Sequence, residues 1–166
     1  MKCEICKKET NKECKWQPCK LLNHLKKGKT MSSNWVQDIH DMHTKYGVRE
    51  VTNKLSANHL AEYLEFRIRF LQEELDEMKL AAKDGNPEEV VDALIDLCVV
   101  AIGTLDAYGV NSYKAWDEVH AANMNKEVGI KAERPNPLGL PDLVKPEGWT
   151  PPSHEGNHGL ITKIYE

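Results

Sequence analysis

The chain has 166 residues, 40% of them hydrophobic, and a formal net charge of −4. That suits one domain of ordinary size with a real core, and no apolar run is long enough to span a bilayer. With no signal peptide legible at the start, the expectation is a soluble cytoplasmic protein without a membrane partner. Charge is placed unevenly: residues 1–30 hold nine Lys against three Glu, a net of +6, leaving about −10 for the rest. This asymmetry marks the N-terminus as a separate unit.

That unit carries Cys3, Cys6, Cys14 and Cys19. Two thiolates three apart bind one tetrahedral ion around a tight turn, and a second Cys pair completes the set. A segment this Lys-rich has too little apolar content to fold alone, and a structural Zn2+ supplies the missing folding energy. A zinc knuckle-like segment is therefore expected over 1–30. Its lysines are compatible with nucleic acid as a partner, though no aromatic-interleaved motif supports it. Cys98 stands apart in an apolar run and reads as a small core residue.

A first helix is expected from Ser32–Asn34 to Tyr46, stopped by Gly47. Trp35, Ile39, Met42 and Tyr46 would form its apolar face, with His40 and His43 on a solvated one. The next helix starts after Ser56 as N-cap and runs to about Lys83. Leu60, Leu64, Ile68, Leu71, Leu75, Met78 and Ala82 form its core stripe. Gly85 then suits a helix end, and Asn86 with Pro87 suits the cap and first turn of the following helix. So short a connection makes the two long helices antiparallel neighbours. A last helix runs from Asn111 or Ser112 to about Lys126. Beyond Gly129, prolines at 135, 137, 141, 146, 151 and 152 argue against regular structure. Apolar residues sprinkled among them point to an ordered extended tail packed on the helices or on a partner subunit.

Chemistry concentrates between Arg67 and Asp96. Glu73, Glu74 and Glu77 precede the turn; Asp92 and Asp96, with Glu89 as a sixth acid, follow it. From Val90 to Ile102 every residue is apolar except Asp92 and Asp96, so this helix is expected to be buried on most sides, carrying its two acids with it. Buried carboxylates require compensation, and across the turn stand more acids. A divalent cation between the helices is the natural compensator; ion pairing to Arg67 or Arg69 is the alternative. All-oxygen donors with no His in phase favour Mg2+ or Mn2+. A Mg2+ ion held by several carboxylates handles phosphates.

Three stretches carry a resemblance: Phe66 to Leu75 with Glu77, Val91 to Thr104, and Glu118 to Lys126. They are similar to the Glu-Glu-x-x-Glu … Glu-x-x-Asp pattern of the all-alpha nucleoside triphosphate pyrophosphohydrolases, and most of all to phage-type MazG-like or phosphoribosyl-ATP pyrophosphohydrolase-like proteins. The likeness covers about residues 32–152. It implies an all-α antiparallel bundle over 31–128 completed by homodimer or homotetramer formation, with the tail at 129–166 packed upon it. It also implies Mg2+-dependent hydrolysis of a nucleoside triphosphate (NTP or dNTP) at the α–β bond to monophosphate and pyrophosphate. Glu74 and Glu77 match the first metal pair, and Glu73 is the candidate for orienting or deprotonating water, with Glu74 beside it in the catalytic set. Asp96 matches the family's Asp, but the position three before it is Ala93, so the second pair stays open among Glu89, Asp92 and Asp96. Asn123 and Lys126 correspond to a phosphate- or sugar-contacting pair, with Lys145 and Arg67 as further substrate contacts. The alternative is a non-catalytic nucleotide- or nucleic-acid-binding protein using a zinc knuckle on a helical scaffold.

Overall fold

The computed structural model describes residues 32–131, 133, 138 and 142–166. The cysteines of the expected zinc segment lie outside these residues. Helix α1 spans Trp35–Lys45 and α2 spans Val48–Thr52, a short helix the sequence reading did not anticipate. The long helices follow: α3 at Ala57–Asp84, α4 at Pro87–Ala107 and α5 at Ser112–Met124. The described structure is mostly helical.

The caps explain the breaks. Ser56 accepts from the His59 N–H, Asn86 from Glu89 and Asn111 from Lys114, each satisfying a donor that the first helical turn leaves free. Gly85 ends α3 in the left-handed region at φ 68°, where a side chain would be strained. Pro87 then opens α4, where no N–H partner is needed. The result is an antiparallel pair in which α3, 28 residues long, extends about 42 Å at 1.5 Å per residue.

The core of this pair is narrow. Leu60, Ala81, Ala93, Val100, Ala107 and Tyr108 are buried, and Tyr63, Phe66 and Phe70 continue a ladder of rings from Tyr108 along α3. Two expectations need correcting. Helix α4 is not covered on most sides: Val91, Leu94 and Ile95 are exposed, Asp92 is exposed and Asp96 only half-buried. Its continuous apolar run thus exceeds what the described helices cover. On α3, Ile68 and Ala82 leave the expected core stripe and face solvent.

The end of the pair far from Gly85 is tied by polar contacts. His40 and His43 are not on a solvated face: their Nδ1 atoms meet Asp106 Oδ1 and Oδ2 at 2.9 and 2.8 Å, and His43 is buried. Met42 and Tyr46, expected in the apolar face with Ile39, are exposed instead. Thr52 on α2 donates to the Ala107 carbonyl at 2.8 Å, and Tyr108 donates to the Leu60 carbonyl at 2.6 Å.

After α5 the chain is more regular than its prolines suggest. Strand β1, Glu127–Gly129, pairs antiparallel with β2, Asp142–Val144, with Val128 opposite Leu143. A 3-10 helix at Gly159–Ile164 packs on α3, with the Leu160 N–H donating to the Tyr108 carbonyl at 2.7 Å. Asn157, buried, exchanges side-chain hydrogen bonds with both backbone groups of Asn111. Among the described residues no helix is long and apolar enough to cross a membrane.

Candidate metal and substrate site

The acids sit in the half of the α3–α4 pair nearer the Gly85 turn. Glu73, Glu74 and Glu77 fall within one arc of about 100° on α3, and Asp92 and Asp96, four apart, share a face of α4. Glu74 is the centre of this group. Its Oε2 is buried without a hydrogen-bond partner among the described residues. Loss of solvation pushes the Glu74 carboxyl above the ordinary glutamate value, and the charges of Asp96, Glu77, Glu73 and Asp92 push it further in the same direction. Those four neighbours come from both helices, so the fold collects negative charge from each side around one half-buried carboxylate. Glu89, exposed in the first turn of α4, is not among the charges acting on Glu74.

Among the described residues, no Lys, Arg or His forms an ion pair with Glu73, Glu74, Glu77, Glu89, Asp92 or Asp96. Arg67, read from the sequence as a substrate contact or a partner for Asp96, is committed elsewhere. Its Nε donates to Thr104 Oγ1 and its Nη2 to the Val100 carbonyl, both at 2.9 Å. These bonds occupy Nε and Nη2 of the guanidinium in holding α3 against α4. Arg67 lies about 10 Å from Glu74 along α3, and the Val100 carbonyl that it meets also accepts from Thr104 Oγ1 at 2.7 Å.

The donor set fits a hard divalent cation. It consists of carboxylate oxygens only, and one of them is buried and unpartnered, a state expensive to maintain unless a cation or proton joins it. The side chains are nonetheless spread: among the described residues no three His, Cys, Asp or Glu groups gather tightly enough to form a coordination sphere as they stand. Like charges repel, so an ion would have to draw them in.

A second group forms where the tail meets α5. The Trp149 indole donates to the Ala122 carbonyl at 2.8 Å, which pins the tail to the last turn of the helix. Lys126 and Lys145 then lie over the Trp149 ring, 5.7 and 4.5 Å from its centroid, in cation–π geometry. Lys126 also donates to Asn123 Oδ1 at 2.7 Å. Three residues expected to contact substrate, Asn123, Lys126 and Lys145, are thus brought together around Trp149. The signal for this was local: Pro146-Glu-Gly-Trp149 closes a turn through the Trp149 N–H and the Pro146 carbonyl, with Gly148 at φ 77° in the position that favours glycine. Among the described residues no hydrogen bond or ion pair joins this group to the carboxylates.

The family model for phosphoribosyl-ATP pyrophosphohydrolase matches residues 47–123, from the glycine before α2 through nearly all of α5. The stretch belongs to the all-alpha NTP pyrophosphohydrolase superfamily. No curated protein matches the chain. Membership implies a pyrophosphohydrolase, a hydrolase of acid anhydrides acting on nucleotide substrates. All the acids described above fall inside the matched residues, as does Asn123; Lys126, Lys145 and Trp149 lie beyond them.

Proposed function

We propose that this pyrophosphohydrolase domain cleaves a nucleoside triphosphate between its α- and β-phosphates, releasing monophosphate and pyrophosphate, with Mg2+ or Mn2+ at the carboxylates. The observation that carries the reading is Glu74: a buried carboxylate oxygen without a partner among the described residues, surrounded by acids from both helices. Glu74, Glu77, Asp92 and Asp96 would hold the cation. The departure at Ala93 has a packing reason that favours this set. Ala93 is buried against the helix pair, so an acid there would be sterically and electrostatically misplaced, whereas Asp92 is exposed and its charge acts on Glu74.

When bound, the cation offsets charge on the phosphate oxygens during displacement at phosphorus. The chain's own residues do the rest. Glu73, exposed beside Glu74, accepts a hydrogen bond from the attacking water and takes its proton as the bond to the α-phosphorus forms. Lys126 and Lys145 stabilise the negative charge of the departing pyrophosphate, and Asn123 holds the sugar or the first phosphate. The exposed apolar residues Val91, Leu94 and Ile95 support a second copy covering α4, as a homodimer or homotetramer.

Incubation of the purified chain with each NTP and dNTP in Mg2+ tests the reading. Pyrophosphate as the inorganic product from at least one nucleotide is expected. No release from any nucleotide overturns it in favour of a binding protein, and orthophosphate as the only inorganic product overturns it in favour of a hydrolase of a different bond.

A further inference from the structure

We propose that Trp116 and His120 on α5 form the platform on which the nucleobase stacks. The proposal rests on the reading above, in which Asn123 and Lys126 meet sugar and phosphate. Trp116 is 69% exposed, and His120 is exposed with it. Their planes are parallel to within 9°, with centroids 6.3 Å apart. That separation belongs to a slipped pair rather than a face-to-face one, so much of each ring face stays open.

Position on the helix gives the pair its meaning. Trp116, His120 and Asn123 are spaced four and three residues apart, so they follow one another down a single face of α5. Asn123 accepts from Lys126 at 2.7 Å, and Trp149 gathers Lys145 beside Lys126. Over about 10 Å of helix one face presents in order a large π surface, an imidazole and an amide, and the two ammonium groups lie just past its end. A nucleotide has the same order of chemistry: an aromatic base, a sugar with hydroxyls, then a polyanion. Trp149 does not compete for the base, because two ammonium groups lie over its ring and its N–H is spent on the Ala122 carbonyl. Stacking on Trp116 accepts any base, since every base has a π face, while the His120 ring nitrogens can donate to or accept from a base edge. The platform supplies affinity for a nucleoside over a bare polyphosphate.

Calorimetric titration of the full chain with Mg2+ separates these contributions, using α,β-methylene analogues of the four nucleoside triphosphates and, in parallel, tripolyphosphate. Trp116→Leu is expected to lose about tenfold in affinity for the preferred analogue, the scale of one base–aromatic stack, with tripolyphosphate binding unchanged. Trp116→Phe should keep most of the affinity, and His120→Ala should fall between. Retention of the nucleotide preference in Trp116→Leu overturns the proposal, as does an equal loss for both ligands or a change in the mass of the assembly, which would make this face a subunit contact. If Trp116→Leu loses helical circular dichroism, His120→Ala decides: an unchanged preference overturns, a reduced one supports. Pyrophosphate release by the wild-type chain is assayed alongside. Release together with an unaffected Trp116→Leu sinks the platform alone. A platform effect without release supports the platform and sinks the hydrolytic reading, and a wild-type chain that binds no nucleotide sinks both.

Discussion

The two halves of the α3–α4 pair use polar residues in opposite ways. Far from the Gly85 turn, Arg67 bonds Thr104 and the Val100 carbonyl, Asp106 meets two histidines, and Tyr108 donates to Leu60. Nearer the turn, Glu74 keeps a buried oxygen among acids, with no hydrogen-bond partner among the described residues. Both halves belong to the same two helices and the same packing. A chain under selection for stability alone would pair or replace the acids, since an uncompensated buried charge is strongly destabilising. The contrast assigns the closed half to holding the helices in register and the open half to something that arrives from outside.

The largest expected effect tests the open half. Glu74→Gln and Asp96→Asn should each lower pyrophosphate release at least about a hundredfold, because ligands to a charge-stabilising cation contribute several kcal/mol to the transition state. Far-ultraviolet circular dichroism should stay unchanged. Full turnover in either variant removes that residue from the site. The same substitution has a second, smaller consequence with a definite sign. The Glu74 carboxyl is pushed above its ordinary value by burial and by its acidic neighbours, so its charged form opposes folding while no cation is bound. Metal-free Glu74→Gln should therefore unfold at a higher temperature than wild type at neutral pH. This gap should close as pH falls through the raised value and the wild-type carboxyl takes up its proton. Added Mg2+ should raise the wild-type midpoint and leave that of Glu74→Gln behind.

The closed half is tested at Gly103. A Cβ there would stand 3.2 Å from Arg67 Nη2 and 3.3 Å from the His43 ring, tighter than ordinary contact on two sides held by hydrogen bonds. Gly103→Ala should destabilise the fold by about 1–3 kcal/mol, the usual scale of overpacking, read from chemical denaturation. Its Mg2+-induced shift in melting temperature should match that of wild type, because the strain lies outside the acids. A loss of Mg2+ response equal to that of Glu74→Gln would show that the two halves are not separable.

How far each half could be read from the sequence follows from what made it. The long helices and their turn were legible because capping and periodicity are local: Ser56, Asn86, Asn111 and Gly85 all act where their spacing placed them. The acids were legible as a group for the same reason. Their burial was not, since an apolar run reveals how much surface seeks cover and not whether one chain provides it, as Val91, Leu94 and Ile95 show. The link of His40 and His43 to Asp106 joins residues more than sixty apart, and no local pattern announces it. Gly103, a lone glycine within an apolar helix, was the one available hint of a close approach there. The β1–β2 pair was missed because its strands are three residues each and bracket a proline-rich stretch.

The smallest effect, at Tyr108, probes the closed half in the other pH direction. Tyr108 is fully buried, and its hydroxyl donates to the Leu60 carbonyl at 2.6 Å. Burial, with Tyr63 and Tyr165 adding to it against the opposing Arg67 charge, pushes its ionisation up to about 12 from an ordinary 10.0. An acid that holds its proton more tightly when folded contributes stability present below the unfolded value and lost as pH rises through the folded one. At neutral pH, Tyr108→Phe should cost only about 1 kcal/mol, the net worth of one hydrogen bond. Between roughly pH 10 and 12 wild type should lose stability that the Phe variant, having no proton to release there, retains, and the difference between them should shrink. Denaturant midpoints of both proteins over that range measure it. A constant difference across the range would mean that the hydroxyl is not held in the folded protein as the hydrogen bond to Leu60 requires, and with it the Tyr108 tie between α3 and the end of α4 would fall.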